Sequence, residues 1–119
     1  MTIKIGYADD KAINRQSFAN KIKMLGNAEI VIMAVNGNDF LSQLKGLPHN
    51  QLPQIAFIDL EMPEMGGIQT IGISKALYPD IYCIVLTVFD DDDKIFEAIK
   101  AGANGYLLKG APREEIFNA

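Results

Sequence analysis

The sequence predicts an α/β domain: five parallel strands in the order 2-1-3-4-5, wound on both faces by helices, (βα)5. Three observations predict it. Short apolar runs recur along the 119 residues, each ending on polar or turn residues. Segments with helical spacing of apolar residues alternate with them, over short connections rich in Gly, Pro and Asn. The strand-like runs also lack the polar alternation of a half-exposed strand, so they suit a parallel sheet buried on both sides. The clearest is Ile55-Ala56-Phe57-Ile58, which runs straight into Asp59.

Taken in order, Ile3 to Ala8 is the first strand, ended by Asp9-Asp10. Lys11 to Leu25 follows as a helix with Phe18, Ile22 and Leu25 on one face, and Gly26-Asn27 stops it. Glu29 to Val35 is the second strand. Asn36-Gly37-Asn38 makes a turn, with Asn38 as the expected cap of a short helix over Asp39 to Lys45 that turns Phe40, Leu41 and Leu44 inward. Gly46 to Pro53 is a loop broken by Pro48 and Pro53, and it holds the one histidine, His49, away from the acids. Gln54 to Ile58 is the third strand. Pro63 and Gly66-Gly67 enforce a loop before a helix over Ile68 to Leu77, whose propensity Gly72 and several isoleucines lower. Ile81 to Leu86 is the fourth strand, closed by Thr87. Asp90 to Ala101 is a helix opening on four aspartates, which suit a helix N-terminus, with Ile95, Ala98 and Ile99 inward. Asn104 to Leu108 is the fifth strand, closed by Lys109. Pro112 starts a last helix that has barely begun at Ala119.

Composition narrows the function. A net charge of −4 argues against a nucleic-acid-binding face on this chain, which would be basic. The single cysteine, Cys83, has no internal partner and sits in an apolar run, as a core thiol does. No apolar run is long enough to span a membrane, and acids follow Met1 too soon for a secretory leader, so a cytoplasmic location is expected. The whole chain reads as one domain.

Function is expected at the carboxyl ends of the strands, where open parallel sheets gather their chemistry. Strand one brings Asp9 and Asp10 there, strand three Asp59, strand four Thr87 and strand five Lys109. In the order 2-1-3-4-5 the three acids meet at the switch point between strands one and three. Three crowded carboxylates repel and call for a cation, and hard oxygen donors suit Mg²⁺ or Mn²⁺. A carboxylate so placed can serve as a nucleophile toward phosphorus, forming an acyl phosphate, and Asp59 stands alone on the central strand.

These residues carry a resemblance. Asp9-Asp10, the loop Asp59-Leu60-Glu61-Met62-Pro63-Glu64-Met65-Gly66-Gly67, Leu86-Thr87 and Gly105-Tyr106-Leu107-Leu108-Lys109 make the chain similar, over its whole length (1–119), to the receiver domain of bacterial two-component response regulators, a flavodoxin-like fold. Leu86 to Asp91 and Gly105 to Ala111 resemble most the LuxR/NarL-type regulators, whose output is a DNA-binding helix-turn-helix. The resemblance implies that Asp59 accepts a phosphoryl group from a sensor histidine kinase. It implies that Asp10, Asp59 and the backbone carbonyl of Glu61 hold Mg²⁺ (or Mn²⁺), with Asp9 acting through water. Lys109 and Thr87 would hold the phosphoryl oxygens. Thr87 and Tyr106 would form the switch, acting on the surface of helix four, strand five and helix five, through which a homodimer could form. Such a domain turns over no separate substrate, and it would reach DNA only through an output domain absent from this chain. Two departures stand out: Gly110 follows Lys109 where many receivers have proline, so no cis-proline is expected there, and Ala111 stands where a capping hydroxyl is usual before Pro112. Glu61 and Phe89 occupy positions that vary in the family and tune phosphoryl lifetime. Two other readings remain open: a haloacid-dehalogenase-like phosphohydrolase, disfavoured by Glu61 where a second Asp is usual, and a receiver-like interaction module that uses no phosphate.

Overall fold

The computed structural model describes residues 2–87 and 92–108. Their strands form one parallel sheet in the order β2-β1-β3-β4-β5, as expected. The strands are β1 (Ile3–Ala8), β2 (Ala28–Ala34), β3 (Ile55–Asp59), β4 (Tyr82–Thr87) and β5 (Gly105–Leu108). The helices are α1 (Ala12–Leu25), α2 (Gly37–Gly46), α3 (Gly67–Leu77) and α4 (Asp92–Ala101), with a 3-10 turn at His49–Gln51 inside the predicted loop. The expected features at Phe89, Asp90, Lys109, Gly110 and the helix from Pro112 lie outside the described residues.

Side chains alternate between two cores because successive strand residues point to opposite faces. Ile5, Tyr7, Phe57, Ile84 and Leu86 join Phe18 and Ile22 of α1 on one face. Ala8, Ile32, Ala56, Ile58, Cys83 and Val85 join Phe40, Leu41 and Leu44 of α2, Ile71 of α3 and Ala98 of α4 on the other. Burial on both faces is why these strands read as continuous apolar runs. Burial also pushes the Cys83 thiol up to about 11, partly offset by the Lys75 ammonium, so it stays a protonated core residue.

Two local expectations are corrected. The cap of α2 is Asn36, not Asn38: the helix begins at Gly37, and Asn36 Oδ1 accepts from the Asp39 N–H at 2.8 Å. Asn38 therefore falls inside the first turn, past the point where a side chain can cap it. Ile99 points out, 48% exposed, whereas Ile95 and Ala98 are buried. It shares the outer face with Phe96, which is 62% exposed and carries the Lys100 ammonium over its ring. Gly72, a poor helix former, lies against Ala101 of α4, where two helices approach closely.

Lys75 fastens the far end of the sheet. Its ammonium donates to the carbonyls of Pro79 (3.0 Å) and Ile81 (2.9 Å) and to Asn104 Oδ1 (3.2 Å), which also accepts from the Cys83 N–H. Its stem packs on Gly102, whose φ of 122° suits glycine. Lys75→Met keeps the stem and loses the three charged hydrogen bonds. Urea unfolding should show a loss of about 1–3 kcal/mol, and an unchanged midpoint would refute this role.

Candidate functional site

Parallel pairing aligns the strand ends. Ala8 is in register with both Ala34 and Ile58, so Asp9 leaves β1 beside the residue that precedes Asp59. Asp59 is in register with Leu86, and Thr87 follows it at the end of β4. Thr87 in turn pairs with Leu108, the residue before Lys109. The structure therefore brings Asp9, Asp10, Asp59 and Thr87 to one edge, and Lys109 lies just beyond the described residues. Asp9, Asp59 and Thr87 are buried, and Asp10 is partly so.

The acids form a tight group. One carboxylate oxygen from each of Asp9, Asp10 and Asp59 lies within 4.8 Å of the others. Asp9 and Asp10 are nonetheless held differently. Asp9 Oδ1 accepts from the Lys11 N–H at 3.0 Å, in a local turn typical of Asp. Its Oδ2 accepts from the Tyr7 hydroxyl at 3.0 Å, and its carbonyl accepts from Arg15 Nη1 at 2.9 Å. Asp10 Oδ1 is buried and has no hydrogen-bond partner among the described residues. A buried, unpartnered carboxylate oxygen inside an acid cluster is costly and is the donor a hard cation takes. The residues present thus fit a divalent ion bound by oxygen.

Tyr7 was not singled out from the sequence, although the signal was there: a residue two before Asp9 on a strand shares its face. Burial, the Asp9 charge and hydrogen bond, and Asp59 all push the phenol well above its ordinary range, so it keeps its proton; Arg15 opposes them weakly.

The loop after Asp59 is closely fitted. The Leu60 N–H donates to the Leu86 carbonyl, and the Gly67 N–H returns to the Leu60 carbonyl. Glu64 takes a left-handed conformation (φ 67°) that costs a non-glycine residue energy, and its carboxylate accepts from Asn36 Nδ2 at 2.7 Å. Met62 and Met65 pack against the core. The Glu61 side chain reaches α4 and pairs with Lys94. Both are exposed, so the pair ties loop to helix without adding much stability. Tyr106 is 44% exposed. His49 lies far from the acids, in a cleft of about 410 Å³ at the opposite edge of the sheet with Leu52, Leu77, Tyr78 and Asp80.

Comparison with known proteins converges on one family. The model of the response regulator receiver domain matches residues 5–119. The chain is 37% identical to the oxygen regulatory protein NreC of Staphylococcus epidermidis, covering 98% of this chain and 52% of that protein. It is 34% identical to the protein of that name from Staphylococcus carnosus over the same shares. The chain thus spans about half the length of the curated relatives it matches. Among solved structures, a LuxR-family DNA-binding response regulator from Staphylococcus aureus superimposes with a TM-score of 0.85 at 26% identity, covering 98% of this chain and 93% of that one. The signal receiver domain of a NarL response regulator from Mycobacterium tuberculosis gives 0.88 at 25% identity, covering 98% and 91%.

Proposed function

From the premise that this chain belongs to the response regulator receiver domain family, we propose that it is a switch set by phosphorylation of Asp59. The observation that carries the reading is the group of Asp9, Asp10 and Asp59 at the carboxyl edge, with the Asp10 oxygen buried and without a partner among the described residues. The phosphoryl donor is a sensor histidine kinase. An Asp59 carboxylate oxygen attacks phosphorus, the bond to the donor nitrogen breaks, and an aspartyl phosphate results. Asp10, Asp59 and the Glu61 carbonyl would hold Mg²⁺ or Mn²⁺, with Asp9 acting through water. The ion, when bound, would offset the clustered acids and the charge of the phosphoryl oxygens. Thr87 and Lys109 hold those oxygens.

The new charge then acts on a surface. Phe96 and Ile99 of α4 and Tyr106 and Leu108 of β5 are exposed apolar side chains, and this face is the one that responds, with Thr87 and Tyr106 as the moving parts. The Glu61–Lys94 pair gives the phosphorylated loop a direct hold on α4. Output runs through a second part of a longer cytoplasmic protein. DNA binding is the favoured output, because a structural relative is a DNA-binding regulator of the LuxR family. Pairing of two copies through the α4–β5 face and the following helix would follow phosphorylation.

A switch and a phosphohydrolase differ in turnover. With acetyl phosphate and Mg²⁺, the switch releases acetate in a burst of about one equivalent per chain, followed by slow hydrolysis of the aspartyl phosphate. It should leave p-nitrophenyl phosphate untouched. Sustained multiple turnover of that ester would replace this reading with the hydrolase.

A further inference from the structure

We propose that Tyr7 is a positioning residue for divalent-cation binding at this edge: its hydroxyl fixes Asp9 in the orientation that receives the ion's water shell. The proposal rests on the phosphoacceptor reading above. It adds a residue outside the acid, threonine and lysine set.

Asp9 and Asp10 are neighbours with opposite environments. Asp10 presents a buried oxygen without a partner among the described residues, as a direct ligand would. Asp9 is fully buried and anchored at both carboxylate oxygens, by Tyr7 at 3.0 Å and by the Lys11 N–H at 3.0 Å. An acid held at both oxygens suits an outer role, in which it accepts from ligated water and its orientation decides the fit. Outer partners of this kind align the groups around a metal.

Tyr7 is itself held. Its ring stacks on Phe18 of α1 with centroids 4.1 Å apart and planes 9° from parallel. Phe18 in turn meets Phe57 of β3 at 5.1 Å. This aromatic column runs from the strand that precedes Asp9 to the strand that bears Asp59. The phenol hydroxyl thus has little freedom to leave Asp9. A phenol also donates without adding charge. It orients Asp9 and leaves the negative charge of the cluster available to the cation, which a lysine there would cancel.

Magnesium titration calorimetry on the whole chain tests this, with wild type, Tyr7→Phe, Asp9→Asn, Asp10→Asn and the Tyr7→Phe/Asp9→Asn double variant. Phe keeps the ring stack and removes the hydroxyl. Tyr7→Phe should raise the Mg²⁺ dissociation constant about 10-fold, within the range for outer-shell partners. It should add nothing in the Asp9→Asn background, because it acts through Asp9. Phe18→Leu, which keeps the hydroxyl and frees the ring, should weaken binding in the same direction but less. If Tyr7→Phe melts earlier yet binds Mg²⁺ as wild type does, Tyr7 merely satisfies a buried acid and the proposal falls, while Asp10→Asn still reports on the site. If wild type binds no Mg²⁺, the phosphoacceptor reading falls with it.

Discussion

Asp59→Asn is expected to reduce phosphoryl incorporation to background while the domain stays folded. The carboxylate is the only group of the acid cluster on the central strand, at the end of β3 and in register with Leu86. Asparagine has the same shape, so the buried position is filled, but its amide is no nucleophile toward phosphorus and forms no acyl phosphate. Removing one of three clustered acids also weakens the attraction for a divalent ion. The expected results are no mobility-shifted species on a phosphate-affinity gel after treatment with acetyl phosphate and Mg²⁺, a cooperative melt, and a smaller rise in melting temperature on adding Mg²⁺. A shifted species in the variant equal to that of wild type would assign the phosphoryl group elsewhere.

Gly67→Ala is expected to destabilise the domain by about 3 kcal/mol, the upper range for overpacking, and to impair phosphorylation with it. A methyl group on Gly67 would sit in conflict with the Asp59 carbonyl oxygen and 2.9 Å from Leu60 Cα. Both obstacles are backbone, so no rotamer change relieves them. The first turn of α3 must move away from the end of β3, breaking the Gly67 N–H bond to the Leu60 carbonyl and shifting Asp59. Urea unfolding measures the loss. Gly46→Ala is the control, because nothing lies within 4 Å of its added methyl and it sits at a helix end. Equal midpoints for the two variants would show that the close approach costs nothing.

Gly67 illustrates what the sequence makes legible. Gly66-Gly67 reads as a loop signal, but the tight contact of Gly67 with the Asp59 carbonyl is a tertiary fact. The strand ends are legible for a simple reason. Runs such as Ile55–Ile58 are buried on both faces, so the first polar residue marks where each leaves the core, and strict β-α alternation implies a parallel sheet, which the order 2-1-3-4-5 fits. Asp9, Asp10, Asp59 and Thr87 are found at one edge from those strand ends together with that order. Two residues were misplaced because a shift of one or two positions changes a helical residue's environment. Asn36 and Asn38 are both good caps, and only the onset at Gly37 chooses between them. Ile95, Ala98 and Ile99 all fit an apolar stripe, and the outer face of α4 keeps Ile99 beside Phe96. Tyr7 was hidden for another reason. In a strand of apolar residues an aromatic ring reads as core, and its hydroxyl gains meaning only once Asp9 is known to be buried beside it.

Asp59 is expected to become an acyl phosphate. Intact mass after incubation with acetyl phosphate and Mg²⁺, followed by peptide mapping, tests it most directly. The expected result is one phosphoryl adduct per chain, labile to hydroxylamine, dependent on the divalent ion and carried by the peptide containing Asp59. No adduct under conditions that label a control receiver would contradict it, as would an adduct that maps to another residue.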